Sequence, residues 1–162
     1  MKTIHGDVGT PLHVGEDLTV RGPLRAGAVV ADGCLLLVHG NLRGTVTLGH
    51  RSLLALGGTF GAYLDDNRGT LAVAGVVATP VETIPGTLLV APNSAVTVAG
   101  RTGQLGADGV VRRIEDVLDI RLTSGVALRW DSASTTFVPQ PSDVFDRLAH
   151  LVRPADDPEG GA

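Results

Sequence analysis

The feature that most constrains the fold of this chain is a repeat of about 18 residues. The pattern Leu-x-(Val/Leu)-x-Gly starts at Leu18, Leu36, Leu54 and Leu71, and a fifth copy from Leu88 has Pro92 in the glycine position. The starts are 18, 18, 17 and 17 residues apart, and a shorter copy, Ile4-Gly6-Val8, precedes the first by 16 residues. A fixed period of this length predicts an architecture in which stacked repeats share one core.

Within the repeat, apolar and polar residues alternate. Between positions 18 and 64 the even-numbered residues are mostly aliphatic or glycine, whereas the odd-numbered residues include most of the arginines and threonines. Successive side chains of a strand point to opposite faces, so one face is expected to be buried and the other exposed to water. Large aliphatic residues also recur every six positions, as expected for three six-residue sides per turn.

These periods predict a mainly β fold, a single-stranded triangular parallel β-helix (β-solenoid) with about 17–18 residues per turn. An antiparallel β-sandwich or barrel also has alternation and turn glycines, but it does not require one motif to recur at a nearly constant spacing. The period is compatible with both a left-handed hexapeptide helix and a right-handed triangular solenoid.

Three regions are expected along the chain. Residues 2–104 form a solenoid of about six turns, 105–153 form a C-terminal extension, and 154–162 form a disordered acidic tail. The extension is expected to hold strands at 110–114, 117–122, 126–130 and 135–138, and one α-helix at 142–153 that packs on the solenoid.

The helix at 142–153 has a predicted place to pack. Aligned turns stack Leu35 on Leu53 and place Leu37 over Ala55, Ala72 and Leu89, which gives the outside of the solenoid an apolar strip. Such a strip must be covered. The helix is the nearest candidate, and an intermolecular partner is the competing one.

Charge and composition narrow the class of protein. The net charge is −4, so no overall basic field attracts nucleic acid, and aromatic side chains that could stack on bases are scarce. No apolar run approaches the 18 or more residues that span a bilayer. The single cysteine, Cys34, is compatible with a reducing compartment, and no leader sequence is apparent. We therefore expect a cytoplasmic protein that binds no nucleic acid and does not span a membrane.

No catalytic, cofactor or metal site is expected. A zinc site needs three converging ligands, but the alignment of turns separates the histidines: His5 and His39 share an outward column with Arg21 between them. His50 is interpreted as a corner residue whose imidazole is satisfied by backbone groups of the turn. A phosphate-binding glycine loop is also missing, because the only lysine is Lys2.

The candidate sites are instead surfaces for binding protein. Arginine and histidine side chains stack on the wet side of the solenoid, where a carboxylate-rich protein or a phosphate-bearing ligand could bind. The first turn has nothing before it to pair with its backbone groups, which leaves a strand edge able to pair with a second copy or a different protein. The sole tryptophan is a further candidate anchor. The residues singled out are Arg21, Arg25, His39 and Arg43 on the side, Ile4 and Val8 at the edge, and Trp130 in the extension.

The runs Val20-Arg-Gly-Pro-Leu-Arg-Ala-Gly, Val38-His-Gly-Asn-Leu-Arg-Gly-Thr-Val and Leu56-Gly-Gly-Thr-Phe-Gly-Ala resemble the bactofilins. These are bacterial polymer-forming cytoskeletal proteins with a right-handed triangular β-solenoid that joins end to end. The resemblance covers roughly residues 2–100 and implies a non-catalytic scaffold. The chain departs from the family in its long C-terminal extension, and an extension that folds over one end would block growth there.

Three functions therefore stay open. The first is a non-enzymatic structural or assembly protein that acts through end or side contacts, including self-association through the N-terminal edge. The second is a protein-binding inhibitor or toxin-neutralising (immunity-type) protein. The third, a hexapeptide-repeat enzyme, is disfavoured because no nucleophile–base pair or metal cluster can be assembled from the spacings.

Overall fold

A computed structural model of the chain describes residues 2–91, 94–98, 101–105, 111–113, 127–133, 136–140 and 144–146. It confirms the predicted fold class, since the protein is mainly β and its stacked coils form a parallel β-solenoid of about six turns. "Coil" here means one full turn of the solenoid. In chain order the strands are β1 (Lys2–His5), β2 (Leu12–Val14), β3 (Leu18–Arg21), β4 (Gly27–Val30), β5 (Leu35–His39), β6 (Thr45–Leu48), β7 (Leu53–Phe60), β8 (Tyr63–Asn67), β9 (Thr70–Pro80), β10 (Thr87–Val90), β11 (Ala95–Val98), β12 (Arg101–Leu105), β13 (Val111–Arg113), β14 (Leu128–Asp131) and β15 (Thr136–Pro139).

The first side of the solenoid is a parallel ladder of β1, β3, β5, β7, β9 and β10. Its register confirms the alignment predicted from the repeat, including the shorter first copy. Because the repeats have nearly equal lengths, the same motif position falls on the same rung of every coil. One inward column therefore runs through Ile4, Val20, Val38, Leu56, Val73 and Val90.

The second and third sides complete each coil. On the second side, single bridges join Val8, Leu24, Leu42 and Phe60, and the C-terminal half of β9 pairs with β11. The third side is a four-stranded parallel sheet in the order β2, β4, β6, β8. A short 3-10 helix (Val81–Thr83) follows β9, before the chain enters β10.

The interior is a narrow aliphatic column. Leu36, Leu42 and Leu48 are each fully buried, and they lie on the first, second and third sides of one coil. The sixfold spacing in the sequence is thus the step from one side to the next. Each buried leucine contributes roughly 1.5–3 kcal/mol relative to an exposed one, so stacking rather than any single coil supplies the stability.

Corners between the sides are held by hydrogen bonds that link one coil to the next. The Asp17 Oδ1 accepts a bond from the Leu35 backbone N–H at 3.0 Å, and the Asp32 Oδ1 accepts one from the His50 N–H at 2.8 Å. Each acceptor lies 18 residues before its donor. The polar residues that recur at the corners therefore join neighbouring coils.

Glycines stack at the corner between the first and second sides, which we call the glycine corner (Gly6, Gly22, Gly40, Gly58). Gly40 has φ +154°, and a Cβ there would lie 2.6 Å from the carbonyl carbon of Gly22. Only glycine permits both this backbone conformation and so close an approach between coils. The repeat requires glycine at this position for that reason.

The C-terminal end of the solenoid changes from parallel to antiparallel pairing. On the first side β10 pairs with β14, which pairs with β15; on the second side β11 pairs with β12, which pairs with β13. Strands β13, β14 and β15 overlap three of the predicted segments, while the segment predicted at 117–122 lies outside the described residues. The strand β12 was not predicted, because no part of the repeat extends to it.

The apolar strip on the outside of the first side is present and covered. Leu37, Ala55, Ala72 and Leu89 are buried there, in one cluster with Val144, and the half-buried Phe145 packs against the same cluster. Residues 144–146 are helical. The predicted bounds of the helix, 142–153, and the tail at 154–162 extend beyond the described residues.

Candidate functional site

The N-terminal end of the solenoid is an open strand edge. Among the described residues, β1 pairs only with β3 and β2 only with β4. The N–H groups of Gly6 and Val8 donate to Arg21 and Pro23 of the second coil. In a parallel ladder, successive residues direct their backbone groups to opposite neighbours. The N–H and C=O groups of Thr3 and His5 therefore face away from the stack.

An opening lined by both apolar and polar residues lies at the same end. This cavity of about 490 Å³ is lined by residues of the first coil and the base of the second: Lys2, Ile4, Leu12, His13, Val14, Gly15, Glu16 and Leu18. Ile4 and Leu12 are only half-buried, whereas Leu18, the first leucine of the repeat, is 5% exposed. The Lys2 and Glu16 side chains form an exposed ion pair, Nζ to Oε2 3.7 Å, at its rim.

The predicted edge residues Ile4 and Val8 both belong to this end. Each is half-buried and packs against the central core, and Val8 is bridged to Leu24 of the second coil. Their apolar surface is shielded on one side by the second coil. On the other side nothing among the described residues covers it.

The side-chain candidates form two columns that flank the glycine corner. Register pairs place Arg21 between His5 and His39 on the first side. Arg25 and Arg43 follow Leu24 and Leu42, which are bridged to each other on the second side. We call His5, Arg21, His39, Arg25 and Arg43 the basic corner. Stacked rungs are about 4.8 Å apart, so neighbours within each column lie close together, and the two columns lie on different sides of the glycine corner.

Two residues of this surface were not identified from the sequence. The Asp7 carboxylate forms an ion pair with Arg25, and both side chains are largely exposed. The Asn41 Oδ1 accepts a bond from the Thr59 N–H at 3.2 Å. The 16-residue offset of the first copy was the available signal for Asp7, because it places Asp7 one coil below and close to Arg25.

A shallow groove of about 360 Å³ opens at the basic corner. It is lined by Pro23, Leu24, Arg25, Asn41 and Arg43. The Arg43 side chain is exposed and forms no hydrogen bond or ion pair with the part of the chain that the structure describes. The groove therefore presents hydrogen-bond donors over a buried aliphatic floor, Leu24.

Trp130 does not lie on the surface. Its side chain is 6% exposed and packs against Phe137 with ring centroids 5.0 Å apart. The two rings join β14 to β15 within the central hydrophobic cluster. Trp130 is thus part of the C-terminal cover of the solenoid, and its indole is not presented to a partner in this conformation.

A second polar corner, between the third and first sides, has a different arrangement from the one expected. The His50 backbone is bonded to Asp32 and Gly33 of the coil below, but the His50 Nε2 lies 3.5 Å from the Arg68 Nη1. The imidazole is thus beside a guanidinium, not satisfied by the turn backbone. The next residue, Arg51, has φ +56° on the rung above Gly33, where φ is +73°.

No group of three or more His, Cys, Asp or Glu side chains within the described ranges is arranged to hold a metal ion. In those same ranges, no helix has the length and hydropathy needed to cross a bilayer.

Comparison of the chain with protein-family profiles, curated proteins and solved structures finds no match in any of the three. The sequence resemblance to bactofilins is therefore supported only at the level of the fold, a parallel β-solenoid of about six turns.

Proposed function

We propose that this chain is a non-enzymatic structural or assembly protein that associates with a second copy of itself through the N-terminal end of its solenoid. The observation that carries the proposal is the open first coil. Backbone groups of Thr3 and His5 face away from the stack beside an opening of about 490 Å³ that exposes part of Ile4 and Leu12. Unpaired strand edges bind other strands, and burying the half-exposed Ile4 and Leu12 adds hydrophobic stabilisation.

The partner end is proposed to be another N-terminal end. At the C-terminal end, the antiparallel strands β14 and β12 occupy the positions that a further parallel coil would take. Stacking of an N-terminal end onto a C-terminal end would have to displace them. Association between like ends forms a closed two-fold dimer, the commonest symmetry of soluble oligomers, and leaves no repeating interface for a filament.

The bactofilin resemblance favours the same class of function, a scaffold that joins through its ends, and it carries the bacterial assignment. In this proposal the cytoplasm is the compartment of action, which the single cysteine, Cys34, supports. The proposed assembly is not an end-to-end polymer, because β14 and β12 occupy the C-terminal end.

The test is the mass of the purified protein by light scattering, with negative-stain electron microscopy of the same sample. We expect twice the 16.6 kDa of one chain at micromolar concentrations. Thr3→Pro removes an outward N–H without removing an inward one, and should shift the protein to monomer. Thr3→Ala retains the N–H and is the matched control, expected to remain dimeric.

Three results would overturn the proposal. One is a wild-type monomer at all accessible concentrations, and another is a dimer that persists in both Thr3→Pro and Ile4→Glu. The third is long filaments, which need two sticky ends. Circular dichroism of each variant distinguishes loss of association from loss of folding.

A second candidate, a protein-binding inhibitor or toxin-neutralising protein, is favoured by one separate observation, the donor-lined groove at the basic corner. Such a protein can act as a monomer. A monomeric chain that recovers one stoichiometric protein partner would support this function over assembly.

A further inference from the structure

The basic corner carries charge of the opposite sign to that of the whole chain. The whole chain carries a net charge of −4. At this corner three arginines face one carboxylate, that of Asp7, which leaves a charge of about +2 with the histidines neutral. On the first side, none of the described residues stacked in the same column as Arg21 is acidic. A concentrated positive surface attracts acidic partners.

The groove in this corner is lined by donors. The Asn41 Oδ1 accepts the Thr59 N–H, which occupies one of its two lone pairs, and the Asn41 Nδ2 only donates. Arg25 and Arg43 contribute two guanidinium groups, each able to hold a carboxylate with two parallel bonds. A groove lined mainly by donors is complementary to an oxyanion, because an oxyanion has only acceptors.

The one competing acid is held weakly. The side chains of Arg25 and Asp7 are 67% and 42% exposed. An exposed ion pair of this kind stabilises by at most about 1 kcal/mol, so a ligand carboxylate can replace Asp7 at small cost. Arg43 needs no such exchange, because it has no ion-pair partner among the described residues.

From these observations we infer that the basic corner is a binding site for an acidic polypeptide segment, with Arg25, Arg43 and the Asn41 amide holding carboxylates in the groove and Arg21 extending the site onto the first side. The rungs are about 4.8 Å apart and run along the solenoid axis, so the site suits an extended partner that presents several carboxylates in a row. The site lies on the side of the solenoid and does not depend on association of the ends.

An acidic peptide is favoured over single-stranded nucleic acid. Nucleic-acid grooves combine cations with aromatic side chains on which bases stack. Among the described residues Tyr63 is the only exposed aromatic, and its N–H donates to the C=O of Gly44, the residue after Arg43. The described part of the corner therefore has one ring nearby and no series of rings on which successive bases could stack.

The test is fluorescence anisotropy with a labelled deca-glutamate peptide, titrated with the full chain at low salt. We expect saturable binding that weakens at least tenfold at 0.5 M salt, because exposed charges are screened within about 4–5 Å there. A deca-glutamine peptide of the same length should not bind.

Variants then locate the site. The double substitution Arg25→Ala/Arg43→Ala should weaken peptide binding at least tenfold, and Arg21→Ala should weaken it less. Arg68→Ala is the matched control, since it removes an exposed arginine at another corner, where Asp66 holds it at 3.0 Å. It should change the affinity less than twofold.

Several results would overturn the inference. These are no binding of deca-glutamate at low salt, an equal loss in Arg68→Ala and the double variant, or tighter binding of a single-stranded oligonucleotide or of inorganic polyphosphate than of the peptide. The last two would assign the corner to phosphate ligands. Circular dichroism and the light-scattering mass keep a folding or dimerisation defect separate from loss of the site.

Discussion

The two ends of the solenoid are built from the same kind of coil but are finished differently. At the N-terminal end no described strand pairs with the outer edge of β1, and half-buried Ile4 and Leu12 line an opening. At the C-terminal end β14 and β15 pair in the opposite direction and insert Trp130 and Phe137 into the core. Every parallel stack leaves an unpaired strand edge at each of its two ends, and each edge has to be covered or bound separately. Among the described residues, strands cover only the C-terminal end.

The largest expected effect compares one column at the edge and in the middle of the stack. Gly40→Ala should destabilise by about 5 kcal/mol, enough to unfold many domains, because it adds strain at φ +154° and a Cβ 2.6 Å from the backbone of the coil below. Gly6→Ala occupies the same column at the open end, where no atom lies within 4 Å of an added Cβ. It should cost only about 1–2 kcal/mol, for its φ alone.

Urea unfolding at low protein concentration, where association of the ends is weakest, measures both changes. If Gly6→Ala were as damaging as Gly40→Ala, then something would cover the first coil in the monomer. The distinction between a covered and an open end would then be lost.

The next effect compares the hydrophobic contribution of the two ends. Phe137→Ala should destabilise by about 3–5 kcal/mol, because the ring is 1% exposed and its removal leaves a cavity beside Trp130. Ile4→Ala, at the half-buried edge, should cost about 1 kcal/mol in the monomer. The free energy of unfolding from denaturant titration measures both. Similar losses for the two variants would mean that the C-terminal strands are a loose attachment instead of a cover.

The smallest expected effect separates two contributions to the free energy of unfolding, the strain of a left-handed backbone and the contacts of a side chain. Arg51 has φ +56° on the rung above Gly33, and a Cβ at Gly33 would meet nothing within 4 Å. Arg51→Gly should therefore stabilise by about 0.5–1 kcal/mol, the relief of the left-handed conformation less the added freedom of the unfolded chain.

Arg51→Ala is the control for this change, because it removes the charge and keeps the conformation, so it should leave stability nearly unchanged. The midpoint of thermal unfolding compares the two. A gain in Arg51→Ala equal to that in Arg51→Gly would attribute the effect to charge beside Arg68.

Most of the solenoid could be predicted from the sequence because stacking imposes a single geometric condition. Coils of nearly equal length place equivalent residues on one rung, so the spacing of Leu18, Leu36 and Leu54 predicts the columns, including Arg21 between His5 and His39. The condition fails where the repeat is broken. An irregularity follows the pairing of Val46 with Leu64, and beyond it Thr47 pairs with Asp66. A constant period cannot predict that shift.

The remaining parts depend on interactions that do not repeat. The strand β12 pairs antiparallel with β11, and the partners of such a pair have no common spacing with the coils. Within the basic corner the arginine columns followed from the period, and the offset of the first copy places Asp7 near Arg25. The ion pair of Asp7 and the hydrogen bond of Asn41 needed coordinates, because they depend on the direction of each side chain. The contact of the His50 imidazole with Arg68 also depends on side-chain direction, and the period does not predict it.

The corner hydrogen bonds from Asp17 to Leu35 and from Asp32 to His50 have a consequence for how such a molecule can change in length. Each fastens a level only to the one directly above it, and neither reaches across two levels. A duplication of eighteen residues in the middle of the solenoid would therefore include its own corner hydrogen bond. It would lengthen the molecule by about 4.8 Å. Length could thus vary by whole steps during evolution while both termini, and whatever they bind, stayed as they are.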